Sequence, residues 1–219
     1  MKADVSTTTA TSLAELAQSV EYKLRFFDTD LDPDRAKALR QAWPFIASLS
    51  NPATASACER TAWLKITVQQ CGGIPSLMEF THAAAKIALL SRAEIHTQLC
   101  TLAVARRPGV IRCCIDKETR LALRSALGPA FIALNALARS SKPVSPLVMH
   151  WSALRWACIG YRDWHDTLAP KVPTIHQLVA HSLPELMLSE VTESPPELAE
   201  HGADVALELL AEQGLSWPL

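Results

Sequence analysis

Between Ala84 and Arg139 the chain reads AAKIALLSRAEIHTQLCTLAVARRPGVIRCCIDKETRLALRSALGPAFIALNALAR. Apolar residues recur there every three or four positions, with Arg and Lys at the edges and breaks at Pro108 and Pro129. That period is the signature of helices that bury one face. Strict apolar–polar alternation never runs beyond four residues, and only 7 glycines in 219 residues leave few hairpin turns. The expected fold is therefore all-α, a single compact multi-helix domain. One short extended segment is expected near the N-terminus, over Glu21–Phe27 (EYKLRFF). Hydrophobic residues make up 49% of the chain. At about 1.5–3 kcal/mol for each large side chain fully buried, such a core offsets chain entropy without metals or disulfides.

The formal net charge is −1, which argues against a general nucleic-acid binder. Charge is split along the chain. From Ala84 to Arg139 nine Lys or Arg face three acids (Glu94, Asp116, Glu118), whereas after Lys171 there are eight acids and no Lys or Arg. Either the acidic tail folds back on the basic centre or each faces a different partner. The start, MKADVSTTTATS, lacks an apolar core, so no secretory signal is expected. Lys86, Arg92, Arg106 and Arg112 interrupt every long apolar run, so no direct membrane insertion is expected. Six Cys without a CxxC pair read as free thiols in a cytoplasmic protein.

Capping signals divide the pattern into elements. Residues 1–11 are Thr-rich and read as disordered, and Ser12/Glu15 is a first capping-box match. Asp32 is expected to cap a helix with Pro33 at its first position, running to about Trp43 before Pro44. Ser56/Glu59, Ser76/Glu79 and Ser91/Glu94 open three more helices. The third carries Leu77, Phe80, Ala84 and Ile87 on one face, and the fourth buries Ile95, Leu99, Leu102 and the stem of Arg106 up to Pro108. A helix from Asp116 should break at Gly128, because Pro129 inside a continuous helix costs about 3 kcal/mol. Ser140–Pro146 (SSKPVSP) reads as a linker, after which Ser145 caps a Trp-rich helix through Trp151, Trp156 and Trp164. Thr174/Gln177, Ser182/Glu185 and Ser194/Glu197 are further box matches. The division expected is a disordered 1–11, a helical domain over 12–189, and an acidic helix and tail over 190–219.

No catalytic, cofactor-binding or metal residue is assigned. Asp28, Asp30, Asp32 and Asp34 lack the Gly and terminal Glu of a calcium loop. His96 and Cys100 share a helix face, but no spacing supplies two further zinc ligands. Cys113–Cys114 reads as packing. Cys158 and His165 can be drawn as a nucleophile pair, yet they lie two helical turns apart with no family signature around them. P-loop, GxGxxG, GxSxG and HExxH motifs are absent. A small Cys/His enzyme or a zinc protein remains one alternative, and a helical DNA-binding regulator another. The latter is weakened by the long segment between helices 92–107 and 117–127. The candidate partner-binding residues are the basic stripe Lys117, Arg120 and Arg124, with Leu198, Val205 and Leu209 on a C-terminal helix of about Pro196–Glu212 and Trp217 in the end that follows it.

Three stretches carry a family resemblance. KLRFF (Lys23–Phe27), then AWPFIASL (Ala42–Leu49), is similar to an N-terminal "LRF… W… PYL" pattern. ALLSRAEIHTQLCTLAVARRPGVIRCCI (Ala88–Ile115) resembles a Leu-rich helix, a Gly/Ala turn and "IRRC", with Cys113 in place of the second Arg. SALRWACIGYRDW (Ser152–Trp164) suits the Hrp-type branch. Together these resemble the SctK group of type III secretion proteins (YscK, PscK and the plant-pathogen Hrp counterparts). The likeness covers roughly residues 20–165, and the tail after Ser189 has no counterpart in it. The resemblance implies a non-enzymatic adaptor of the secretion sorting platform, without cofactors. It would be docked at the cytoplasmic face of the inner-membrane apparatus. The implied partners are the cytoplasmic domain of the ring protein SctD and the pod protein SctQ, and through these SctL and the ATPase SctN. No residue-level binding motif comes with the resemblance.

Overall fold

The computed structural model describes residues 14–21, 23, 30–43, 56–70, 72–73, 75–81, 83–142, 144, 148, 150–167, 175–193, 199–212 and 214–215. Every regular element among them is helical, so the all-α expectation holds. The stretch 1–11, Ser12, and 24–29 lie outside the described residues. Glu21 and Lys23 are helical rather than extended, and the rest of the extended segment expected over 21–27 lies outside the described residues.

The caps set the element boundaries. Helix α1 (Pro33–Ala42) starts where Asp32 accepts the Asp34 amide at 3.1 Å, with Pro33 at the first turn. Helix α2 (Ala57–Gln70) starts on the reciprocal Ser56–Glu59 hydrogen bonds and stops at Gly72 and Gly73, both with positive φ. Helix α3 (Arg92–Arg106) has a complete Ser91–Glu94 capping box and ends before Pro108. A single turn, α4 (Val110–Cys113), leads to α5 (Lys117–Leu127), capped by Asp116 through the Thr119 amide. Gly128, at φ +53°, ends α5, and Pro129 starts α6 (Ala130–Leu137), the break the proline demands. Then come α7 (Ala153–Thr167), α8 (His176–Ala180), α9 (Glu185–Glu193) and α10 (Ala203–Glu212).

Some boundaries differ from expectation. The Ser76–Glu79 signal opens two 3-10 segments, Glu79–Thr81 and Ala83–Leu89, rather than an α-helix. Their three-residue period still buries Phe80, Ala84 and Ile87, while Leu77 stays exposed. Ser145 and Pro146 lie outside the described residues. Helix α7 itself begins at Ala153, where Ser152 accepts the Arg155 amide at 3.1 Å, so Trp151 precedes it. Ser182 does not cap α9. Its hydroxyl donates to the Val179 carbonyl, and its own carbonyl accepts from Arg92 Nε. Ser194 lies outside the described residues, and the last helix begins at Ala203 rather than near Pro196.

Helix α3 is the hub. Nine of its fifteen residues are buried, including Gln98 and Thr101, so it is enclosed on almost every side. Helix α7 lies closest to it. A Cβ on Gly160 would sit 1.8 Å from the Leu99 carbonyl oxygen, so only glycine permits this approach. Trp156 and Trp164 are fully buried alongside, and Trp164 Nε1 donates to the Ala84 carbonyl at 3.2 Å. Leu123, Leu127, Phe131 and Leu134 bring α5 and α6 onto the same core. Helix α10 closes it through Ala203, Ala206 and Leu210.

Ser141, Lys142 and Val144, in the stretch read as a linker, lie against α4 and its entry. Arg112 Nη1 donates to the Ser141 carbonyl at 2.7 Å, and Cys113 Sγ donates to the Val144 carbonyl at 3.2 Å. Gly109 lies so close that a Cβ would meet the Lys142 carbonyl oxygen at 1.9 Å. The residues of PGVIRCC thus hold Ser141, Lys142 and Val144 in place.

Candidate interaction surfaces

The charge split resolves into three places. The first is buried. Arg107, 2% exposed, forks onto both carboxylate oxygens of Asp163 at 2.5 and 3.2 Å, and Arg106 joins it at 2.5 Å. This triad ties the end of α3 to α7 through the core. It does structural work.

The second is the basic face of α5. Lys117, Arg120 and Arg124 are all exposed, one helical turn apart, with Leu121 between them. Leu123 and Leu127 hold the opposite face in the core. Arg120 is anchored rather than loose: its Nη2 donates to Asn135 Oδ1 at 3.0 Å, and its guanidinium lies 5.5 Å from the Phe131 ring centre. Among the described residues none of these three cations pairs with a carboxylate.

The third is the acidic side of α10. Asp204, Glu208 and Glu212 are exposed at four-residue spacing. Val205 is exposed beside them and Leu209 half-buried, so the inward face is Ala203, Ala206 and Leu210 rather than Val205 and Leu209. Leu198 and Trp217 lie outside the described residues. The helix is docked by its apolar face and by backbone contacts: the Glu200 amide donates to the Arg106 carbonyl at 2.8 Å, and Arg106 Nε donates to the His201 carbonyl at 3.1 Å. Among the described residues, the acids of α10 make no ion pair with the basic stripe of α5.

The cysteine and histidine candidates do not assemble. Burial pushes the Cys100 thiol up to about 12, and the His96 imidazole is held 2.8 Å from the Ser182 carbonyl oxygen. Among the described residues no three His, Cys, Asp or Glu are grouped to hold a metal ion. Cys158 is fully buried, and that burial pushes its thiol up to about 12, whereas the His165 side chain is 47% exposed at the surface. A buried neutral thiol and a solvated imidazole two helical turns away do not make a nucleophile pair. Burial likewise raises the Cys114 thiol. Among the described residues, no helix is long and apolar enough to cross a membrane.

Sequence reasoning missed the Arg106–Arg107–Asp163 triad. Its only trace is Asp163 standing between Tyr161 and Trp164 in an otherwise core-facing helix.

Set against models of known families, residues 16–213 match one described as bacterial type III secretion protein (HrpB4). The match extends past Ser189, so the acidic tail is part of the family pattern. No curated protein and no solved structure matches the chain.

Proposed function

The chain belongs to the HrpB4 family of bacterial type III secretion proteins, and on that premise we propose that it is a non-enzymatic adaptor of the secretion sorting platform. It sits in the cytoplasm at the inner-membrane ring and links the ring protein SctD to the pod protein SctQ. Through the pods it connects to SctL and the ATPase SctN. The observation that carries the reading is the family match over residues 16–213.

The site chemistry is consistent with it. The Cys100 and Cys158 thiols are neutral and buried, the buried ion triad is structural, and the distinctive surfaces are an anchored basic helix face and an outward acidic one. Two opposite-signed faces on one rigid helical body suit a protein that joins two partners. The basic stripe Lys117, Arg120 and Arg124 is one docking face, and the α10 side with Val205 and Leu209 is the other.

Co-purification from cells with the SctD cytoplasmic domain and SctQ tests this, together with secretion after gene deletion. Binding to at least one and loss of secretion are expected. No binding to either, with secretion intact after deletion, would sink the reading. Arg120→Glu with Arg124→Glu is expected to weaken partner binding and leave helicity by circular dichroism unchanged.

A further inference from the structure

Around the α4–α6 corner a shallow concavity is lined by Arg112, Arg120 and Arg139, with Ile111, Asn135 and Ala138 between them. Two of its arginines are fixed from behind. Arg120 is held by Asn135 and Phe131, and Arg112 by the Ser141 carbonyl. Arg139 stands exposed on the turn after α6. Each guanidinium has five N–H donors, and the fixed ones spend few of them on the protein. The ion pairs of the described residues lie elsewhere, so among the described residues no carboxylate pairs with these three charges. The chain's own acidic helix is committed to α3 and α7. The helices that line the concavity also carry exposed aliphatic side chains: Leu121, next to Arg120 on α5, is 52% exposed, and Ile132, one turn before Asn135 on α6, is 75% exposed.

The geometry points to a carboxylate-binding cradle formed by Arg112, Arg120 and Arg139, which seats an acidic, Leu- or Ile-bearing segment of a protein partner. Charge complementarity selects the occupant. Arginine forks match carboxylates bidentately, and pre-anchored ones lose little side-chain freedom on binding. Exposed Leu121 and Ile132 supply the apolar contacts that accompany Arg in protein interfaces. A nucleic acid offers no use for two exposed aliphatic side chains, and the near-neutral net charge gives it little long-range attraction. The inference rests on the adaptor reading for the identity of the partner, and on the cradle alone for its chemistry.

The test uses the full chain, the Arg112→Glu/Arg120→Glu/Arg139→Glu variant, and Arg139→Glu alone, which removes no hydrogen bond or ion pair found among the described residues. The probes are the SctD cytoplasmic domain, SctQ, and a synthetic amphipathic helix with glutamates one turn apart. Binding is followed by fluorescence anisotropy at two salt concentrations, and folding by circular dichroism. The triple variant is expected to bind the peptide and one of the two proteins at least about tenfold more weakly, and Arg139→Glu to fall between it and wild type. Affinity of the wild type should drop as salt is raised. Equal binding by wild type and Arg139→Glu, or no binding of the acidic peptide by wild type, overturns the cradle even if SctD or SctQ is bound. Peptide binding without either protein keeps the cradle and removes the adaptor reading. Tighter binding of anionic vesicles or duplex DNA, or self-association lost in the variant, replaces the occupant and overturns the inference.

Discussion

Asp163 is the residue on which most depends. It is 4% exposed and answers two guanidiniums, one of them buried. Replacing a buried ion pair whole is often neutral, but removing one partner strands the other charge in low dielectric. Asp163→Ala is expected to cost about 3–5 kcal/mol of unfolding free energy, read from denaturant titration. A loss under about 1 kcal/mol would mean that water reaches the triad. Two histidines add a pH dependence. Burial lowers the imidazole pKa of both His96 and His181, against which the Ser182 and Gln70 carbonyls act in the opposite direction. A depressed folded-state value means the unfolded chain takes up the proton first. Stability is therefore present above the unfolded value of about 6.5 and is lost as pH falls below it. The melting temperature should decline from pH 7 toward pH 5, and a His96→Gln/His181→Gln variant should flatten that decline. An unchanged slope in that variant would assign the acid sensitivity elsewhere.

The helix pair α3–α7 sets the architecture, and its closest point is Gly160 against the Leu99 backbone. The contact is with backbone, so no side-chain rotation can relieve an added methyl. Gly160→Ala is expected to push the helices apart and destabilise by about 1–3 kcal/mol or more, despite alanine's better helix propensity. A stabilised variant would show that the helices slide freely. Gly128→Ala tests a different cause: at φ +53° the residue ends α5 in a region that disfavours a Cβ, and a cost of about 1 kcal/mol is expected. These elements show what the sequence makes legible. Local chemistry announced α1, α2, α3, α5 and α6, because a cap, a glycine or a proline acts within four residues of itself. The 3-10 form of Ala83–Leu89 was not legible, since an alanine-rich run suits an α-helix equally well and tertiary packing decides. Nor was the pairing of Arg107 with Asp163, 56 residues apart. The stripe on α5 was legible as a face, because helical spacing places Lys117, Arg120 and Arg124 together. Arg112 and Arg139 join Arg120 only through the turn at α4 and the break at Gly128, which no single periodicity encodes.

At the scale of the whole molecule the question is whether α10 is part of the body or a detachable partner-binding helix. Its inward residues Ala203, Ala206 and Leu210 are buried against α3 and α7, and Arg106 is bound to its entry through both a side-chain and a backbone hydrogen bond. Its outward residues Asp204, Glu208 and Glu212 are solvated. Two changes separate the roles. Leu210→Ala opens the core and is expected to cost about 2–5 kcal/mol, read as a lower denaturant midpoint. Reversing Asp204, Glu208 and Glu212 to Lys touches no buried atom. Folding should change by less than about 0.5 kcal/mol, as surface substitutions do, while affinity for the partner proposed to meet this face should fall. If Leu210→Ala leaves stability unchanged, α10 is not held to the body in solution. If the charge reversals unfold the chain instead, the acidic face is structural, and the second docking surface must be sought elsewhere on the molecule.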